Sequence, residues 1–156
     1  MVSQSAPRIL YVRLPCNPIF PIGVVYLADH VHKCFPSLSQ RIFDLGTVPP
    51  LDYQSALLDC IDRFKPSLLV FSWRDIQIYA PVGGRGGNPL QNSFEVFYAR
   101  NPLRRLRGAL GGLQLMRSFY GELWRNLALV RRGLRWARRH HPAARAVIGG
   151  GAVSVF

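Results

Sequence analysis

Acidic residues and cysteines are scarce in this chain. Its 156 residues include eight Asp and Glu against 20 Lys and Arg, and three cysteines, none of them in a CxxC pair. A disulfide framework needs an even set of cysteines and a cysteine zinc site needs closely spaced ones, so neither is indicated. Reduced thiols are the expectation.

Long apolar runs are absent as well. No stretch of this sequence approaches the roughly 18 apolar residues of a membrane-spanning helix. Residues 1–7 are too short and too polar for a secretory signal, whose apolar part has roughly 7–15 residues. We therefore expect a cytoplasmic protein.

The composition is that of a globular domain with an uneven charge. Hydrophobic residues make up 49% and charged residues 18%, which predicts a single domain over residues 1–156 with a buried core. Residues 1–84 carry seven Lys and Arg against six Asp and Glu, whereas residues 85–156 carry thirteen arginines against two glutamates. Such a basic half favours phosphate groups, anionic lipid head groups or an acidic partner.

In the first half, apolar strands alternate with amphipathic helices. Strands are predicted at 8–14 (RILYVRL), 40–45 (QRIFDL) and 67–73 (SLLVFSW). The last is almost uninterrupted in apolar residues, as is typical of a parallel strand covered on both faces. Two helices are predicted between the strands, from the helical spacing of their apolar residues: Val24, Leu27, Ala28, Val31 and Phe35 in the first, and Leu57, Cys60, Ile61 and Phe64 in the second.

The second half departs from this alternation. Residues 74–119 are rich in Gly, Pro and Arg, which predicts an insertion. A third helix is predicted from Tyr120, and a fourth strand from Arg145 to Ile148. The apolar stripe of that helix is formed by Leu123, Leu127, Val130, Leu134 and Ala137.

This order predicts a doubly wound, Rossmann-like or flavodoxin-like α/β fold with a mostly parallel sheet of about four strands, which ends before its usual last helix and strand. Either a neighbouring chain supplies the missing edge or the sequence is the front part of a longer protein, and the second is favoured. Ligands of such sheets lie outside the carboxyl ends of the strands, so the strand-to-helix loops are the place to look for function.

The segments RILYVRLPCNPIFPIGVVYLADHV, IFDL, KPSLLVFSW and AVIGGGAVS, in this order, resemble the cobalamin-binding domain at the front of B12-dependent radical SAM enzymes. The resemblance covers roughly residues 8–73 and 120–156. It implies that cobalamin lies over the carboxyl edge of the sheet, with its nucleotide tail beside the strands. It also implies that a separate radical SAM module uses the corrin for methyl transfer or related radical chemistry.

Carried over by position, the loop after the first strand would face the corrin ring, the residue ending the third strand would offer a hydroxyl, and the glycines after the fourth would line the tail. These positions are Pro15, Cys16, Asn17, Pro18, Pro21 and Gly23, then Ser72, then Gly149, Gly150 and Gly151. Glycine lets a bulky ligand approach the backbone. A serine hydroxyl can donate and accept.

The chain also departs from the family. Its first loop has no histidine to ligate cobalt, and no CxxxCxxC for an iron-sulfur cluster is present. The iron-sulfur cluster and S-adenosylmethionine would therefore belong to a radical SAM domain in a longer chain or a partner protein, and no catalytic residue is assigned to this chain.

Two further interpretations remain open. The chain is a basic, non-catalytic module for nucleic acid or an anionic membrane surface, or a remnant whose fold survives without its ligand. The basic residues concerned are Arg104, Arg105, Arg107, Arg131, Arg132, Arg135, Arg138 and Arg139. In the membrane version, Leu123, Trp124, Leu127 and Trp136 would enter the lipid interface.

Overall fold

Strands and helices alternate through most of the chain. The computed structural model describes residues 7–15, 22–73 and 89–150. The strands are β1 (Arg8–Arg13), β2 (Ser39–Asp44), β3 (Leu68–Ser72) and β4 (Arg145–Gly149). The helices are α1 (Ile22–Cys34), α2 (Tyr53–Phe64), α3 (Pro89–Tyr98) and α4 (Pro102–His140), and two short 3₁₀ turns lie between β2 and α2.

The four strands form one all-parallel sheet in the order β2-β1-β3-β4. The predicted α/β fold with a doubly wound parallel sheet is therefore confirmed. The chain runs outward from β1 to β2, then crosses to β3 and β4 on the other side. This reversal of direction places a topological switch point at the carboxyl ends of β1 and β3.

One face of the sheet is covered by α2 and α4. Phe71 of β3 is fully buried there, and Gly133 of α4 lies directly above it. The predicted apolar face of α2 is confirmed, because all four of its residues are buried. The side chains that close this side of the core are Leu10, Val12, Leu57, Cys60, Ile61, Phe64, Leu69, Phe71, Val130 and Ala137.

The other face is covered by α1. Val24 packs with Ile9 and Tyr11 in a buried cluster to which Ala28 and Val31 add partly buried surface. The remaining two residues of the predicted stripe are exposed: Leu27 at 46% and Phe35 at 59% of their surface. The stripe of α1 therefore packs only along part of its length.

The prediction that the third helix begins near Tyr120 is wrong, because α4 begins at Pro102 and runs to His140. The Oδ1 atom of Asn101 accepts a hydrogen bond from the backbone N–H of Leu103 at 2.9 Å, which caps the first turn. Much of the predicted insertion at 74–119 is thus helical in its described part, and Gly108 within it is buried.

The chain divides into two compact units. One comprises Met1–Asp75 and Asn126–Phe156 and contains the sheet, and the other is Ile76–Arg125. Helix α4 contributes its last turns to the first unit and its first turns to the second. The second unit corresponds closely to the predicted insertion.

A polar cluster joins the C-terminal ends of α2 and α4. The Asp62 carboxylate accepts hydrogen bonds from Nε1 of Trp136 at 2.8 Å and from Nε2 of His141 at 3.1 Å. Burial alone would raise the pKa of the Asp62 carboxyl, but these hydrogen bonds, together with electrostatic attraction by His141 and His140, outweigh it and hold the pKa below its usual value. Ionised Asp62 therefore helps to hold the end of α4 against α2.

Gly133→Ala should destabilise the protein. A Cβ there would lie 2.9 Å from Cζ of Phe71 and 3.3 Å from Cδ2 of Leu57, both of which are fully buried. Overpacking costs about 1–3 kcal/mol, and the better helix propensity of alanine returns at most about 1 kcal/mol. Gly121→Ala on the same helix meets no atom within 4 Å and should be neutral or stabilising. Urea denaturation measures both, and equal effects of the two substitutions would contradict the close packing.

Asp62→Asn should flatten the acid limb of the stability curve. The folded pKa of Asp62 is lowered, so its stabilising contribution is present above the unfolded value of about 3.9 and is lost as pH falls through the folded pKa. The wild type should therefore lose stability more steeply than the variant below about pH 4. Thermal unfolding between neutral pH and this range tests it, and parallel curves would refute the contribution.

Candidate functional site

One row of residues crosses the carboxyl edge of the sheet. The strand registers pair Arg13 with Asp44 on one side and with Ser72 on the other, and Ser72 with Gly149. Successive side chains of a strand point to opposite faces, so this row lies on the α1 side, with Tyr11 two residues earlier. The last residues of all four strands thus form one line.

An ion pair occupies the β2 side of this row. Arg13 is 7% exposed, and its guanidinium binds the Asp44 carboxylate. The other oxygen of that carboxylate accepts from the backbone N–H of Gly46 at 2.8 Å. Sequence reasoning missed this pair. The available signal was a pair of opposite charges, Arg13 at the carboxyl end of one strand and Asp44 at the carboxyl end of the next.

The β3–β4 half of the same face is open. A Cβ at Gly149 would meet no atom within 4 Å, and Ser72 beside it is only half-buried. Two residues before Gly149 on β4, Val147 is 52% exposed. Its register partner Val70, by contrast, packs against the buried cluster of Ile9, Tyr11 and Val24. Among the described residues, no helix covers this part of the sheet. Its exposed apolar surface, which ends at the Ser72 hydroxyl and the Gly149 backbone, is called here the trough.

Gly150 plays a different part from Gly149. Its φ is +121°, and a Cβ there would overlap the backbone carbonyl of Trp73. The N–H of Trp73 also donates to the Gly149 carbonyl at 2.8 Å, so the backbone segments at the ends of β3 and β4 run in close contact. Glycine at 150 is required by the backbone itself, and its substitution would disturb the fold before it could obstruct a ligand.

A buried amide reaches the start of the loop after β1. Asn126 of α4 is 4% exposed, and its Nδ2 donates to the Pro15 carbonyl at 3.4 Å. Its Oδ1 is buried and has no hydrogen-bond partner within the described ranges. A buried unpaired acceptor is costly unless something else satisfies it. The sequence signal was an asparagine on the same helix face as the apolar Leu123, Leu127 and Val130.

The remaining predicted site residues divide by location. Gly23 lies exposed in the first turn of α1 with open space at its Cβ position, and Pro15 is buried at the end of β1. Five others lie outside the described residues: Cys16, Asn17, Pro18, Pro21 and Gly151. The described part of the predicted site therefore consists of Pro15, Gly23, Ser72 and Gly149, with Gly150 as a structural element.

Strand β4 is open on its second face too. A groove of about 230 Å³ separates it from the last turns of α4, and four of its five residues are exposed. The groove is lined by Leu134, Ala137, Arg138, Ala144, Arg145, Ala146 and Ile148. The outer edge of the sheet is thus less covered than its centre.

Metal-ligating residues do not converge in the described part of the chain. No group of three or more His, Cys, Asp or Glu side chains there could hold a metal ion. Burial raises the pKa of the Cys60 thiol, which makes it a poor nucleophile and ligand at neutral pH. Cys34 is exposed and lies 3.7 Å from Nε2 of His30 on the same helix face.

No family model, curated protein or solved structure matches the chain.

The described helices also include none with the length and apolarity to cross a bilayer.

Asp44→Ala should destabilise the sheet edge strongly. It deprives a buried guanidinium of its carboxylate and removes the bond to Gly46, and breaking a buried pair from one side costs about 3 kcal/mol or more. Asp29→Ala removes an exposed helical pair with Lys33 and should cost only about 0.3–0.5 kcal/mol. Chemical denaturation compares them, and similar small losses would show that the edge does not depend on the pair.

Proposed function

We propose that this chain is a cobalamin-binding module. The observation that carries the proposal is the open trough at the carboxyl ends of β3 and β4, where Ser72 and Gly149 stand side by side on an uncovered face. It lies beside the switch point of the parallel sheet, where ligands of such folds bind. The order of sequence segments described above supplies the choice of cobalamin within that class.

The residues present fit such a ligand. Val70 and Val147 offer apolar surface for a flat nucleotide base, and Gly149 leaves room for it against the backbone. Ser72 supplies a hydroxyl that can donate or accept. The unpaired Oδ1 of Asn126 is an acceptor beside the first loop, and the amide side chains of a corrin carry N–H donors. Together they provide shape and polar partners without a charged residue.

A bound cobalamin would supply a cobalt centre able to carry a methyl group. This chain's part is to hold the corrin at the strand ends and to cover the tail. The chain contains no CxxxCxxC, so S-adenosylmethionine and an iron-sulfur cluster would belong to a radical SAM domain in a longer chain or a partner. The three cysteines, none of them in a CxxC pair, favour the reducing cytoplasm as its location.

Titration with hydroxocobalamin, followed by visible absorbance, tests the proposal. We expect saturable binding by the wild type. A Cβ at position 149 meets no atom within 4 Å, so Gly149→Phe should fill the trough while leaving the protein folded. It should weaken binding tenfold or more, which corresponds to about 1.4 kcal/mol. Ser72→Ala should weaken it about three- to tenfold through the loss of one hydrogen bond.

Ala146→Phe is the matched control. It adds the same bulk to the same strand but on the opposite face, toward the groove beside α4, and should leave the affinity unchanged. Unfolding curves for all variants verify that each is folded. Absence of binding by the folded wild type would contradict the proposal and favour the remnant interpretation. Equal losses for Gly149→Phe and Ala146→Phe would place the ligand elsewhere.

A further inference from the structure

The first half of α4 carries an exposed apolar face. Seven of its large apolar side chains are between 50% and 74% exposed. They are Leu103, Leu106, Leu110, Leu113, Met116, Tyr120 and Trp124, called here the α4 apolar face. Steps of three and four residues separate neighbouring members, so all seven lie on one side of the helix. An exposed patch of this size on a folded chain marks an interaction surface.

The opposite side of the same helix is the covered one. Gly108 is buried, and Leu115 and Phe119 are half-buried, at positions about half a turn away from Leu110 and Leu113. The α4 apolar face is therefore not the core-facing stripe of this segment. The helix has a second apolar side beyond the one its fold uses.

Arginines surround the α4 apolar face. Arg105 and Arg107 are exposed at its two edges, and Arg117 is exposed within its angular range. The unit Ile76–Arg125 contains seven arginines against two glutamates, Glu95 and Glu122. The surface is therefore apolar along its centre and positively charged at its borders.

We infer that this face binds an anionic lipid bilayer, with the first half of α4 lying in the plane of the interface. An amphipathic helix with a basic polar side and leucines opposite is the arrangement that such binding uses. Tyr120 and Trp124 add amphipathic rings, which prefer the head-group level. Arg117 can extend its guanidinium to the phosphates while its methylenes stay among the leucines.

A second copy of the chain is a poorer occupant. Pairing two such helices would bring Arg105, Arg107 and Arg117 toward the same arginines of the other copy, with Glu122 as the sole carboxylate of α4 to oppose them. Nucleic acid would satisfy the arginines but would leave seven exposed apolar side chains unused. Only a surface that is both anionic and apolar complements charge and leucines together.

The residues predicted from the sequence to enter lipid are largely a different set. Leu123 and Leu127 are half-buried, and Trp136 is held by its bond to Asp62. Trp124, at 62% exposed, is the one member of that prediction that lies on the α4 apolar face. Five of the seven residues of the α4 apolar face thus precede the predicted third helix.

Co-sedimentation of the full chain with vesicles tests the inference. The probe is phosphatidylglycerol mixed equally with phosphatidylcholine, at physiological salt, and vesicles of phosphatidylcholine alone serve for comparison. Leu110→Gln with Leu113→Gln keeps the charge and should weaken binding to anionic vesicles by about tenfold or more. Leu27→Gln with Leu51→Gln removes two exposed leucines from the other unit and should leave binding unchanged.

A charge-matched pair of variants separates local from overall electrostatics. Replacing Arg107 and Arg117 by Gln should weaken binding about fivefold for each arginine lost. Replacing Arg41 and Arg145, which are exposed in the other unit, removes the same charge and should have a much smaller effect. The wild type should also show a blue shift of tryptophan emission on anionic vesicles that Trp124→Phe removes.

Several results would overturn the inference. They are vesicle binding that survives the Leu110 and Leu113 substitutions, a salt-sensitive oligonucleotide complex without vesicle binding, or a dimer that those two substitutions dissociate. Circular dichroism and unfolding curves confirm that each variant is folded. Because these residues lie outside the cobalamin trough, the titration of hydroxocobalamin is an independent measurement.

Discussion

Burial of the two central strands is the constraint on which the rest of the structure depends. β1 pairs on both sides and buries five of its six residues, and β3 beside it buries Leu69 and Phe71 completely. A parallel strand in this position needs cover on both faces, since its side chains alternate between them. Helix α1 supplies that cover on one side and α2 with α4 on the other. The close approach of Gly133 to Phe71 shows how tightly the second layer is fitted.

The parts of the fold that follow from local pattern were predictable from the sequence. The apolar strands and the buried face of α2 depend on runs and spacings of a few residues, and both agree with the structure. The start of α4 was not found, because Gly108, Gly111 and Gly112 suggest a broken helix by their low propensity. Tertiary packing overrides that cost at the buried Gly108, and the Asn101 cap before Pro102 was the local signal overlooked.

The candidate site was predictable only in part, for a similar reason. Ser72 and Gly149 were found as strand ends, and their adjacency depends on strand order, which the doubly wound pattern implies. Arg13 and Asp44 come together across two strands separated by a helix, and Asn126 reaches Pro15 from far along the chain. Such long-range contacts leave no periodic signal. Gly149 and Gly150 have different roles because their backbone geometries differ, and the residue type alone does not reveal that difference.

The two halves of helix α4 both carry exposed arginines, but they differ in where their apolar side chains lie. Arginines are exposed along both of its halves, so their number does not distinguish a solvated surface from a binding surface. In the last turns, Val130 and Ala137 are buried beside the sheet, and the arginines opposite them simply face water. In the first turns, leucines remain exposed beside the arginines, and burial within the chain does not account for them. The exposure of the apolar side chains, rather than the charge, therefore indicates which half of the helix has an interaction surface.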